Sequence, residues 1–327
     1  MKLQTTYNQS LLWLLENDPA NPGVRYFALR DMQGLPEGDP QVKAARQMVM
    51  ASGPVPEILN SQNPDGSWIP RGGKYQSTTW QIVFLAELGA DPQDERVRAG
   101  CEFVLDHYLA SNQAFAYLRP PVPSGVVHCM NGLLVSALNR LGYSVNPRVQ
   151  AAAEWQAGAI LGELPPKQYF KSGTSGPEFA CGVNLGKPCG WGATKAMKAL
   201  VAIPESRRTP LVQRAIQAGA EFLLRYDLAT ANFPYTERIS STWFKLGFPL
   251  SYWSDILETV SVLIELGYGG DPRLEEVLCL IQSKQDTQGR WKLENTLNGK
   301  TWVDIEVKGK PSKWVTLRAL RVLKCLE

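Results

Sequence analysis

Three cysteines and one of the chain's two histidines stand in two short stretches: VVHCMNG at 126–132 and EFACGVNLGKPCGWG at 178–192. His128 adjoins Cys129. Cys181 and Cys189 flank a loop rich in glycine. Three thiolates and an imidazole make a tetrahedral zinc set if they converge, so His128, Cys129, Cys181 and Cys189 are candidate Zn2+ ligands. Without a metal, a thiolate at a helix start has a depressed pKa and can act as a nucleophile or carry a proton. That makes His128, Cys129 and Cys189 candidate catalytic groups. The spacing is not C-x-x-C, so only the fold can bring them together. The plain alternative is a set of inert buried thiols beside a hydrogen-bonded histidine. Cys101, Cys279 and Cys325 fall on apolar helix faces and read as structural.

The best carboxylate is Asp255, in YWSDILET. Burial in the first turn of an apolar helix would raise its pKa and keep it protonated as a general acid. Equally, it reads as an N-terminal carboxylate held by the helix dipole. The stretch WVDIEVKGKPSKW at 302–314 carries Asp304, Glu306, Lys308, Lys310 and Lys313. It suits a lid or a diphosphate-binding edge, although mixed charges are more often a solvated loop.

These residues need elements to hold them, and the elements recur. Six strongly apolar helical segments lie at 24–35, 78–89, 129–142, 189–204, 252–267 and 313–326. Their starts are about 50–60 residues apart, a helical-repeat spacing. Being apolar round most of their circumference, they are expected to be buried on nearly all sides. Six more amphipathic segments alternate with them. Several open with Asp, Asn or Thr before Pro, a helix cap and first-turn signature, and several of the apolar segments end in Gly. Strand signals are weak. The prediction is an all-α (α/α)6 toroid, six inner and six outer helices, formed as one domain over 1–327. An open helical solenoid is the rival.

The start of each inner segment faces one mouth of such a ring, where helix N-termini carry partial positive charge. Tyr26, Trp80, Trp191, Tyr252, Trp253 and Trp314 cluster near these starts, with Lys195 and Arg318 close by. An aromatic wall with few polar groups suits an apolar ligand and can face a carbocation. Taken singly, each aromatic is more ordinarily core.

The chain has 327 residues, 44% hydrophobic and 20% charged, with net charge +3 and mixed signs. No basic run points to nucleic acid. No apolar run is long enough for a membrane span, and the N-terminus lacks a signal-peptide pattern. Cytoplasmic residence is the resulting expectation.

QNPDGSW at 62–68 and QDTQGRW at 285–291 share one device: Gln, a polar turn with Gly, then Trp. Both stretches resemble the QW repeat of squalene and terpenoid cyclases, which runs more loosely through protein prenyltransferase β subunits. The resemblance implies an (α/α)6 barrel about half the size of a squalene cyclase. It also implies that Gln62, Gly66, Trp68, Gln285, Gly289 and Trp291 clamp outer helices and do no chemistry. The D-x-D-D acid motif, the D-D-x-x-D motif and the Asp-x-Cys zinc element of these families are all missing, so their chemistry cannot be transferred wholesale.

Three functions stay open. The first is an enzyme using acid and base to dehydrate, isomerise or cyclise a small or medium hydrophobic, isoprenoid-like substrate in an aromatic central cavity. The second is a zinc-dependent, prenyltransferase-like transferase. The third is a non-catalytic toroid that binds a peptide or lipid.

Overall fold

The computed structural model describes residues 2–69, 73–164, 176–234 and 239–324, with side chains from residue 7 onward. Cys325 lies outside the described residues. The inner ring runs α2 (Pro22–Phe27), α5 (Thr78–Leu88), α7 (His128–Leu138), α9 (Gly190–Val201), α11 (Ile256–Leu263) and α13 (Lys313–Lys324). Around it lie α1 (Lys2–Leu15), α3 (Pro40–Ala51), α4 (Pro54–Asn60), α6 (Glu95–His107), α8 (Pro147–Leu161), α10 (Pro210–Leu224) and α12 (Glu275–Ser283). Neighbouring inner helices pack on one another, and α13 returns to α2. The fold is an all-α (α/α)6 toroid.

Local chemistry explains the elements. Every residue of α5 except Glu87 is buried, as a helix with apolar residues on nearly all faces requires. On the outer α10, Val212, Ala215, Ile216, Gly219, Ala220 and Leu223 form one inward stripe. Side chains of Asp39, Asp94, Asn146 and Thr209 accept from the first-turn amides of α3, α6, α8 and α10. Gly89, Gly142 and Gly267 end inner segments with φ of 84°, 91° and 95°, a conformation that costs glycine least.

Side chains on α13 close the ring. Trp314 Nε1 donates to Asn21 Oδ1 at 3.0 Å, Arg321 pairs with Asp31, and Lys324 Nζ donates to the Asp31 carbonyl at 2.9 Å. On the outside, Ser10 Oγ donates to the Gly289 carbonyl at 2.6 Å, tying α1 to the turn after α12.

The two Gln–turn–Trp stretches adopt the same geometry. Trp68 and Trp291 are buried, and their indole N–H groups donate to the carbonyls of Ile58 and Ile281 at 2.8 and 2.7 Å. Their backbone amides donate to Thr78 Oγ1 and Thr316 Oγ1, each at 3.0 Å. Each tryptophan thereby pins an outer helix end to the first turn of an inner helix (Thr316 in α13, Thr78 in α5). Gln62 Nε2 also reaches the Arg96 carbonyl on α6 at 2.8 Å. Beyond Trp291 runs a short antiparallel pair, β1 (Trp291–Lys292) with β2 (Pro311–Ser312).

The stretch 302–314 is stitched down. Glu306 accepts from Ser312 Oγ and from the Lys313 amide at 2.6 Å, capping α13, and Trp302 Nε1 donates to the Gln76 carbonyl at 3.0 Å. The described geometry is that of a docked loop.

Replacing Trp291 by Ala removes a fully buried ring and the bond to Ile281. It is expected to lower unfolding free energy by about 3–5 kcal/mol in urea or thermal melts. An unchanged melting temperature would refute the clamp role.

Candidate functional site

The thiols converge, but not as a metal set. Cys189 is the residue before α9, and its sulfur accepts from the Gly192 amide at 3.4 Å. It also hydrogen-bonds Cys181, brought back by the loop 181–188, where Cys181 N donates to the Lys187 carbonyl at 3.1 Å. The Cys189 bond and two loop amides pull Cys181 down to about 6, while the same bond and burial push Cys189 up. The shared bond therefore drives the two thiols in opposite directions, Cys181 toward the thiolate and Cys189 toward the neutral thiol that donates to it. Cys129, on α7, is close enough to feel both sulfurs, and burial first, then the Cys181 charge, raise it to about 11.

His128 takes no part. Its Nε2–H donates to the Gly176 carbonyl at 2.8 Å, and its Nδ1 accepts from Gln156 Nε2 at 2.7 Å. A carbonyl can only accept and an amide nitrogen only donate, so the tautomer is fixed. Gln156 is held in turn by Asn131 Nδ2 at 3.0 Å. Burial lowers His128 to about 4, so it is neutral and has no lone pair left for a metal or a substrate proton. Among the described residues, no group of three or more His, Cys, Asp or Glu is arranged to hold a metal ion. The four-ligand zinc set expected from the sequence is therefore corrected to a cluster of three thiols. Cys279 is exposed, against the expectation of an apolar face, and Cys101 is buried.

Asp255 is also corrected. It caps α11, accepting from the Glu258 amide at 2.8 Å, and accepts from the Gly247 amide at 3.0 Å. Arg318 clasps it with two nitrogens at 2.7 and 3.0 Å. Burial alone would raise its pKa, but the Arg318 charge and these bonds prevail and lower it. Asp255 is an ionised structural anchor, not a protonated acid.

The lumen is not an aromatic cavity. Lys195 and Lys198 on α9 meet Glu258 on α11, and Lys198 reaches Glu87 on α5 at 2.5 Å. α5 and α9 are separated in the ring by α7, so this last pair crosses the lumen. Burial is the largest single influence on both sides of the network, but it prevails only for the lysine. It pulls Lys195 below its usual range, whereas the two lysines and Arg140 still hold Glu87 at about 2. The sequence signal for this network is a lysine pair and a glutamate in otherwise apolar helices. Gly132, on α7 one turn from Cys129, permits it: a Cβ there would strike the Lys195 carbonyl.

The aromatics divide. Trp80 packs edge-on to Tyr75 at 5.0 Å, Tyr75 meets Trp253 at 6.0 Å, Trp253 meets Tyr252 at 5.4 Å, and Tyr252 meets Trp191 at 6.3 Å. α5 and α11 are opposite in the ring, so the Tyr75–Trp253 contact spans the mouth where the inner helices begin. These rings form a plug over the charged lumen. Trp314 lies apart, stacked on Phe248 at 4.3 Å as a wedge at the ring closure. Tyr26 belongs to the other mouth, where its hydroxyl donates to Glu37 at 2.8 Å. Neither belongs to the predicted wall.

No protein-family model matches the chain, and no curated protein matches it in sequence. Among solved structures, an apo variant of the type II terpene cyclase MstE from Scytonema is similar at a TM-score of 0.49 and 12% identity, covering 99% of this chain and 96% of that one. Another variant of that enzyme, in complex with its substrate geranylgeranyl dihydroxybenzoate, is similar at 0.48 and 13% identity over 99% and 97%. A family 76 glycoside hydrolase from a bovine Bacteroides thetaiotaomicron strain is similar at 0.49 and 11% identity over 94% and 68%. No helix among the described residues is long and apolar enough to cross a membrane.

Substituting Asp255 by Asn leaves Arg318 buried without its counter-charge and is expected to cost about 3–5 kcal/mol of stability. Because the folded carboxyl titrates below its unfolded value, its contribution is complete above the ordinary carboxylate range and is lost as pH falls through the folded pKa. Urea unfolding across acid pH should therefore show wild type and Asp255→Asn converging at low pH. Divergence at low pH would mean a raised pKa.

Proposed function

We propose that the protein is an enzyme that transfers protons on a small-to-medium apolar, isoprenoid-like molecule held at the aromatic mouth, with Cys181 as base and Cys189 as its proton partner. The observation that carries this reading is the hydrogen-bonded thiol pair at the start of α9, two residues from Trp191. Two like groups driven to opposite protonation states are the usual arrangement for acid–base work. A thiolate near pKa 6 is ionised at neutral pH and close enough to neutrality to return its proton. Isomerisation or dehydration fits such a pair, and neither needs Asp255.

Apolar substrate chemistry has separate support. The segments leading into α5, α7, α9 and α13 expose Ile69, Leu118, Val122, Val183, Leu185 and Val307. Val183 is 86% exposed, and it sits in the Cys181–Cys189 loop itself. Such side chains around one mouth are suited to meeting an apolar molecule. The cavity beside Cys189 and Trp191 is only about 20 Å³, room for one water, so the substrate would lie against the plug and the outer loops.

Iodoacetamide trapping tests the thiol pair. The rate at Cys181 should rise with pH around a midpoint near 6. Cys189→Ala should move that midpoint up toward the ordinary thiol value, about 8.5. Turnover of a panel of monoterpene and sesquiterpene alcohols, followed by gas chromatography, tests the activity. Cys181→Ser should lower any rate found by about 100-fold or more while leaving substrate binding intact. Binding that quenches tryptophan fluorescence, with no turnover of any panel member, would instead assign a non-catalytic binding toroid.

A further inference from the structure

The mouth opposite the thiols holds a cavity of about 520 Å³, large enough for a small-molecule ligand. It opens where α2, α5, α7, α11 and α13 end. Its apolar floor includes Phe27, Ala86 and Leu141. Its rim is cationic: Arg30, Arg46, Arg140, Arg321 and Lys324 line it, against Asp31 and Glu265. Glu37, which holds Tyr26, Arg30 and Arg46, adds a third carboxylate. Five cations thus face these three anions, while two further carboxylates outside the cavity lining, Asp91 and Glu87, reach Arg46 and Arg140.

The carboxylates are already committed. Asp31 is shared by Arg30 at 2.5 Å and Arg321, Glu37 is shared by Arg30 and Arg46 at 3.4 Å each, and Glu265 accepts from Ser261 at 2.9 Å. Among the described residues Arg140 makes no close salt bridge, the charge of Glu87 reaching it only at longer range, and Lys324 bonds just the backbone carbonyls of Asp31 and Met32. The side-chain Nε atoms of Arg46 and Arg321 are buried without a hydrogen-bond partner among the described residues. Burial works against the charge of both groups.

The guanidiniums are also held in place. Phe27 lies between Arg30 at 4.9 Å and Arg321 at 4.8 Å, and Arg46 sits over Tyr26 at 4.5 Å. Flat guanidiniums propped on aromatic faces lose little freedom on meeting flat oxygen anions. Helix C-termini alone attract cations, which accounts for Lys324. It does not account for arginines propped on rings around an open space.

We propose that this mouth is a binding site for a compact anion of two or more charges, a phosphoryl or polycarboxylate group, gripped by Arg46, Arg140 and Arg321. The site is independent of the thiol chemistry at the other mouth.

Calorimetric titration of the full chain with inorganic phosphate and, separately, with citrate tests this, using sodium chloride at matched ionic strength as the control. At least one anion should bind more tightly than chloride, and which one does so identifies the class of ligand. Arg140→Glu reverses the charge of an exposed side chain and should weaken that binding about tenfold or more. Lys324→Glu should weaken it too and serves as the second variant if Arg140→Glu loses its helical circular dichroism. The proposal fails if neither anion outbinds chloride. It fails equally if both charge reversals leave the affinity unchanged.

Discussion

The ion network in the lumen is the constraint on which the rest of the molecule depends. Lys195, Lys198, Glu258 and Glu87 are charged groups taken out of water, and each is tolerable only while its partners stay in place. Buried pairs of this kind add little net stability over apolar packing, but they punish any other arrangement severely. Here they require α9 to face α11 on one side and α5 across the lumen on the other. The requirement continues outward. Asp255 caps the helix that carries Glu258 one turn later, and Arg318 holds Asp255 to the next helix in the ring. Four of the six inner helices are thus registered by one connected set of charges.

Filling the lumen separates two mouths with different chemistry. Above the network, aromatic rings meet across the opening, and the loops around them carry exposed apolar side chains and the thiol cluster. Below it, helix C-termini and arginines surround an open cavity. A ligand at one mouth has no passage to the other, because the charged pairs and the aromatic plug stand between. The fold therefore presents two faces that can be altered independently in side-chain character, and the physical link between them is the rigidity of the inner helices.

Much of this was legible in the chain. The alternation of all-round apolar and one-sided helices follows from composition. The caps at Asp39, Asp94, Asn146 and Thr209 and the stops at Gly89, Gly142 and Gly267 follow from local backbone chemistry. The nearness of Cys129, Cys181 and Cys189 follows from consecutive inner helices and a glycine-rich return loop. What escaped is what depends on distant partners. Asp255 reads as a candidate acid until Arg318 is seen beside it, and no local pattern announces a residue so far along the chain. His128 reads as a ligand until Gln156, on an outer helix, takes its second nitrogen. Glu87 and Glu258 look incidental in sequence because a buried charge is recognisable only once its lysine is known. Nearness to helix starts groups Tyr26 and Trp314 with the other aromatics, a criterion blind to which way a ring points.

Gly132 has a consequence for how such a molecule can change over generations. The backbones of α7 and α9 touch at this residue, so any side chain larger than hydrogen drives the two helices apart. That one displacement would draw Cys129 away from the sulfur pair and stretch the Lys198–Glu87 bridge across the lumen together. A lineage exploring new substrates at the thiol mouth can vary the loops freely, yet it cannot widen the α7–α9 seam without also unmaking the charged centre. The route to a roomier site is therefore closed to single substitutions at this seam, and descendants of this chain should diversify at the rim while the seam stays fixed.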